Sequence, residues 1–95
     1  MSNHKYLVRC DRSGVFYGEI EKLEGRQVTM RNARCIWYWD GAASLLQLSK
    51  EGVKAPDNCK FTVHVDELTV LDAIELLPCT EAAIASIEGV LEWKR

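Results

Sequence analysis

A chain of 95 residues, 47% hydrophobic and 27% charged with a formal net charge of −2, has the make-up of one ordinary globular domain with a modest core. The acidic balance argues against general nucleic-acid binding, which requires a basic field to release counterions from phosphates. No run approaches the ~20 apolar residues of a membrane span, and the four cysteines (Cys10, Cys35, Cys59, Cys79) include no Cys-x-x-Cys pair of the kind that holds structural zinc.

Residues 1–4 read as a disordered tail ahead of a single domain over 5–95. They lack the apolar core of a signal peptide, so a cytoplasmic location with reduced, buried cysteines is expected. Residues 5–11 carry the aromatic and β-branched content of a strand, and Arg12-Ser13-Gly14 is a turn. A second strand follows over 15–21, with Phe16, Gly18 and Ile20 on one face and Gly18 marking a bulge or a close approach. Glu24-Gly25-Arg26 turns the chain into a third strand over 27–31, completing a meander of short hairpins. Asn32 is a turn or bulge before a fourth strand over 33–39. Period-two spacing there sends Cys35, Trp37 and Trp39 to one side and Arg34, Ile36 and Tyr38 to the other. Bulk on both faces predicts a central strand covered on both sides.

Asp40-Gly41-Ala42-Ala43-Ser44 starts a helix reaching residue 50, with Asp40 as N-cap, Leu45, Leu46 and Leu48 as its stripe, and Gly52 after its last turn. Residues 54–58 are a loop. Residues 59–65 alternate, Phe61, Val63 and Val65 against Lys60, Thr62 and His64. Residues 66–77 read as one long strand broken or bent near Asp72, with a helix as the competing reading. Thr80 caps a final helix striped by Ile84, Ile87 and Leu91. The fold class is α+β: an antiparallel sheet of about six strands, ordered four strands, helix, two strands, helix.

No catalytic constellation emerges. His4 lies in the tail and His64 on a solvated strand face, and the carboxylates Glu19, Glu21, Asp66, Glu67 and Asp72 suit a solvated surface. No nucleophile elbow, zinc helix or phosphate loop occurs. The expectation is therefore no enzyme, no cofactor and no metal. The stretch that can do chemistry is 32–45. Its aromatics suit the core first, and a stacking surface or a subunit interface after it. Arg31 and Arg34 can pair with phosphates, and the bare turn of Gly41, Ala42, Ala43 and Ser44 can offer backbone N–H groups to an anion. The ligand-binding candidates are thus Arg31, Arg34, Tyr38, Trp39, Gly41, Ala42, Ala43 and Ser44, with at least one tryptophan left to the core.

The string Asn-Ala-Arg-Cys-Ile-Trp-Tyr-Trp-Asp-Gly-Ala-Ala-Ser-Leu over 32–45 resembles the signature of a family of small proteins of tailed phages and prophages, a domain of unknown function. Further matches are Gln47-Leu48, Glu51-Gly52-Val53, Asn58-Cys59-Lys60-Phe61-Thr62, Val65-Asp66-Glu67 and Pro78-Cys79-Thr80, so that the likeness runs from Tyr6 to Trp93. Cys35 stands where the family pattern carries arginine. The resemblance implies a phage origin and a small size but no catalytic residues. Small phage proteins outside the virion often counter host immunity, some by sequestering cyclic nucleotide signals at subunit interfaces. By that analogy the expectation is a homo-oligomeric binding protein of the host cytoplasm that holds a nucleotide-like ligand. The alternative is a protein-interaction module, either a virion component or an inhibitor of a host protein.

Overall fold

A computed structural model describes residues 4–94. Three strands open the chain as an antiparallel meander: β1 (Lys5–Cys10), β2 (Val15–Glu24) and β3 (Gln27–Tyr38). Gly25 supplies the positive φ, 59°, that the tight β2–β3 turn needs. β3 is one strand of 12 residues where alternation suggests two. Asn32 stays inside it in the left-handed region, with φ 50°. Asparagine tolerates that conformation better than most residues. The kink resets the alternation, so that Val28, Met30 and Ala33 all enter one cluster while Ile36 joins another.

After β3 come α1 (Leu45–Glu51), a 3₁₀ turn (Pro56–Asn58), β4 (Lys60–Phe61), β5 (Val65–Val70), β6 (Ala73–Pro78) and α2 (Glu81–Glu88). β3 is central: β2 lies on one side, and the other side is shared by β4, opposite Ile36 and Tyr38, and β5, opposite residues 28–33. β6 pairs with β1 at the far edge. Thus β5 and β6, joined only through Leu71 and Asp72, close opposite edges of one sheet. The sheet has to curl for a single bent segment to do this, so that the edges of β3 and β1 are covered by two short strands of that one segment. Residues 66–77 are therefore two strands with a corner at Asp72, and the helical reading of that stretch is set aside.

The curl has an inside and an outside. Inside sit Val8, Met30, Val28 and Val70; outside, Leu7, Tyr17, Ile36 and Phe61 meet Leu48 of α1 and Ile87 of α2. Consecutive residues Leu7 and Val8 serve the two clusters, as strand alternation requires. The class is α+β with six strands and two helices, as expected. The chain order is corrected to three strands, helix, three strands, helix, because Asn32 does not end β3 and the segment after β4 divides at Asp72 into β5 and β6.

Both helices are capped by a hydroxyl. Thr80 Oγ1 accepts from Ala83 N–H as expected, whereas α1 is capped by Ser44, whose Oγ accepts from Gln47 N–H, and not by Asp40. Asp40 instead accepts from Asn58 Nδ2 at 3.0 Å. Tyr17, fully buried, donates its phenol to Glu88 at 2.7 Å and so ties the end of α2 to the sheet. The expected tail falls mostly outside the described residues; His4, which is described, sets its ring edge-on to Tyr6.

The β5–β6 corner carries an acid-sensitive tie. Asp72 accepts the main-chain N–H of Arg12 and of Ser13 and the Ser13 hydroxyl, at 2.7, 3.0 and 2.6 Å. These hydrogen bonds hold its carboxyl down at about 2, against an ordinary 3.8. A depressed folded value means that the stabilisation is complete above the ordinary value and is lost as pH falls toward the depressed one. Asp72→Asn is therefore expected to lose stability at neutral pH and to show a flatter decline than the wild type between pH 3.8 and about 2. Denaturation midpoints measured across that window check it; parallel declines would contradict it.

Candidate functional site on the aromatic face

The two arginines of the signature stretch go to different places. Arg34, 1% exposed, runs beneath the C-terminal end of α2. Its Nε donates to Thr62 O at 3.0 Å, Nη1 to Ile87 O and Val90 O at 3.1 Å each, and Nη2 to Phe61 O at 3.2 Å. The guanidinium also lies 5.4 Å from the centroid of the Phe61 ring. Carbonyls at a helix C-terminus carry partial negative charge and suit a cation. Burial lowers the Arg34 pKa, yet guanidinium remains charged in proteins. Arg34 is a structural clamp whose fork is spent on backbone. Arg31 is exposed, paired with Glu21 of β2 and with Glu67 of β5 at 3.3 Å. The fold does not bring the pair together on one ligand.

The small-residue turn is likewise committed. Gly41 has φ 93°, and a Cβ there would lie 2.4 Å from Lys54 N. The turn is bare because the 53–55 loop passes against it. Ala43 N–H donates to Gln47 Oε1 at 2.8 Å, Ser44 caps α1, and the Trp39 indole donates to Ala42 O at 3.3 Å. Trp39 packs against the helix-side core, as expected for one tryptophan of the run. Of the expected site residues, Tyr38 stays open, 51% exposed at the end of β3.

The surface that remains is aromatic. Trp37 is 66% exposed and stacks on Trp93, with ring centroids 6.3 Å apart and planes at 16°. Lys60, opposite Tyr38 in the ladder, places Nζ 5.6 Å from the Trp93 ring. Leu91 stands 86% exposed beside them in sequence. A cleft of about 290 Å³ lies between the 3₁₀ turn and the chain's last described stretch, lined by Pro56, Asp57, Cys59, Leu91, Glu92 and Trp93. His64 is on the surface but not simply solvated, since its Nδ1 lies 2.8 Å from Glu92 Oε2. That contact, with the His64 main-chain N–H, holds the Glu92 carboxyl below its ordinary range.

Of the residues on this face, Tyr38 is among the expected ligand-binding residues, whereas Trp37, Lys60, Leu91 and Trp93 are not. The available signal was Gly89, which ends α2, so that Leu91 leaves the stripe expected with Ile84 and Ile87 and the run Leu91-Glu92-Trp93-Lys94 is extended. The four cysteines are free; Cys10 and Cys79 have their thiols pushed up to about 11 by burial, and Cys35 is only half-buried. No helix among the described residues is long and apolar enough to cross a membrane.

The geometry defines a small curled-sheet α+β domain presenting an aromatic face at one end of its central strand. The chain belongs to the family described as a domain of unknown function, DUF6948, which matches residues 3–87. No curated protein and no solved structure matches it.

Proposed function

We propose that this chain is a phage-encoded, non-enzymatic interaction module of the host cytoplasm that docks a protein partner through Trp37 and Tyr38. The signature over 32–45 supports the phage origin. The observation that carries the docking reading is the 66% exposure of Trp37 in a strand that is otherwise central to the sheet. Tryptophan and tyrosine dominate binding hot spots because they offer large, rigid, amphipathic area at low entropic cost. The partner is a host protein that the module inhibits or a virion component that it joins. Self-association through the same face would make it a homo-oligomer.

A second reading, sequestration of a cyclic nucleotide-type immune signal, draws on the open Trp37 ring and the nearby Lys60 ammonium. It is the weaker of the two, because the Arg34 donors, the Arg31 charge and the Ala43 N–H already have partners within the chain.

The test compares immobilised wild type, Trp37→Ser and Arg31→Ser in capture from bacterial host lysate. Trp37→Ser removes an exposed ring and its stack, and should cost about 1 kcal/mol of stability. Expected is one stoichiometric protein retained by the wild type and Arg31→Ser and reduced at least tenfold by Trp37→Ser. Calorimetry against cyclic di- and trinucleotides should stay silent at tens of micromolar. Capture indifferent to Trp37 overturns the docking reading, and nucleotide heat abolished by Trp37→Ser installs the second.

A further inference from the structure

The chain's own C-terminal segment shows what kind of partner the aromatic face accepts. Val90 is the last residue to join the core. Beyond it the chain runs beside β4, making a parallel bridge between Glu92 and Phe61, and Trp93 N–H donates to Phe61 O at 2.8 Å. Side chains then go to alternate sites. Glu92 Oε2 accepts the main-chain N–H of His64 at 3.0 Å and meets its Nδ1 at 2.8 Å. Trp93 lies on Trp37 with the Lys60 ammonium beside its ring. Leu91, between the core and this pair, touches solvent over most of its surface.

A backbone hydrogen bond to a sheet edge, with specificity from neighbouring side-chain positions, is how an added strand is recognised. The segment contributes no core residue, and it lies beyond the stretch matched by the family. The receiving edge is also held from within, since Phe61 O and Thr62 O accept from the Arg34 fork and Phe61 is fully buried.

We propose that residues 91–94 are an intramolecular occupant of a peptide groove. The partner's contact is then an extended segment carrying an acidic residue directly before an aromatic one, laid parallel to β4. This rests on the reading of the chain as an interaction module. The carboxylate of the incoming segment replaces Glu92 at His64, and its ring replaces Trp93 on Trp37. A tethered occupant competes at an effective concentration in the millimolar range, on the order of that for short flexible linkers. The wild-type groove is therefore masked, and loosening the segment unmasks it.

The test uses full-length ¹⁵N-labelled chain and a synthetic peptide of residues 88–94, Glu-Gly-Val-Leu-Glu-Trp-Lys. The wild type, Trp93→Ala and the double variant Glu92→Gln/Trp93→Ala are titrated, following the Trp37 indole N–H signal. Expected is saturable movement in both variants, at peptide concentrations at least tenfold lower than in the wild type. The same peptide with alanine in place of its tryptophan should bind at least tenfold more weakly. The single variant keeps the test decisive if the double variant does not fold. No Trp37 movement at millimolar peptide in a folded variant overturns the groove, as do wild type and variants that titrate alike. Should the peptide fail while lysate capture still depends on Trp37, only the groove falls; capture independent of Trp37 removes the interaction reading beneath it.

Discussion

Arg34→Ala is expected to lower the unfolding free energy by about 4 kcal/mol, the net worth of four hydrogen bonds at about 1 kcal/mol each. The fork reaches Phe61 and Thr62 on one side and Ile87 and Val90 on the other, so the loss detaches the end of α2 from the β4 strand and its neighbour. An alanine would also leave unfilled the space of a long side chain that is almost wholly enclosed. Stability for a domain of this size totals roughly 5–10 kcal/mol, so the variant should be close to unfolding at 37 °C. Arg34→Lys keeps the charge but not the planar fork, and is expected to recover no more than about half of the loss. Denaturant midpoints at an unchanged m-value check both. A loss below about 1 kcal/mol for Arg34→Ala would mean that water replaces the guanidinium at these carbonyls and that the clamp is dispensable.

Gly41→Ala is expected to cost about 3 kcal/mol, more than a positive φ alone explains. The added Cβ would lie 2.4 Å from Lys54 N and 2.6 Å from Ala55 N, both backbone atoms that cannot swing away. Gly25→Ala is the control. Its φ is also positive, at 59°, but a Cβ there meets nothing within 4 Å. That variant should pay only the left-handed cost of about 1 kcal/mol. The difference between the two isolates the approach of the 53–55 loop. Equal losses would show that the loop gives way, and would return Gly41 to the role of an open turn.

These two residues show where reading the sequence stops. Alternation places the strands of the meander, because successive residues such as Leu7 and Val8 face the two core clusters in turn and the turns between the strands carry glycine. Thr80 and Gly52 were legible as helix ends for reasons local to three or four residues. Parity even puts Arg34 beside Ile36, where the structure has it. The failure lies in the inference from charge to solvent. Arg34 is stable inside because carbonyls of Ile87 and Val90, more than fifty positions away, converge on it, and spacing along the chain carries no trace of that. Small residues at 41–44 suggest steric freedom for a ligand; at Gly41 the space a Cβ would need is taken by the Lys54 backbone. Of the two readings of Asn32, turn or bulge, the register shift between Tyr17/Arg34 and Glu19/Arg31 fits the bulge, and β3 continues through it. Trp93 escaped notice since its partner, Trp37, lies in another strand.

The indole N–H signals of the three tryptophans report separately on the competing sites: Trp37 on the open face, Trp93 on the C-terminal segment, and Trp39 on the turn that holds Ala42. The decisive measurement is a two-dimensional ¹H–¹⁵N spectrum of the intact chain recorded as the captured partner is added. Trp37 and Trp93 are expected to shift or broaden, with Trp39 and the backbone signals of Ala42, Ala43 and Ser44 unmoved. Movement at Trp39, Arg31 and the 42–44 amides while Trp37 stays fixed would contradict the aromatic face and restore the arginine–turn site.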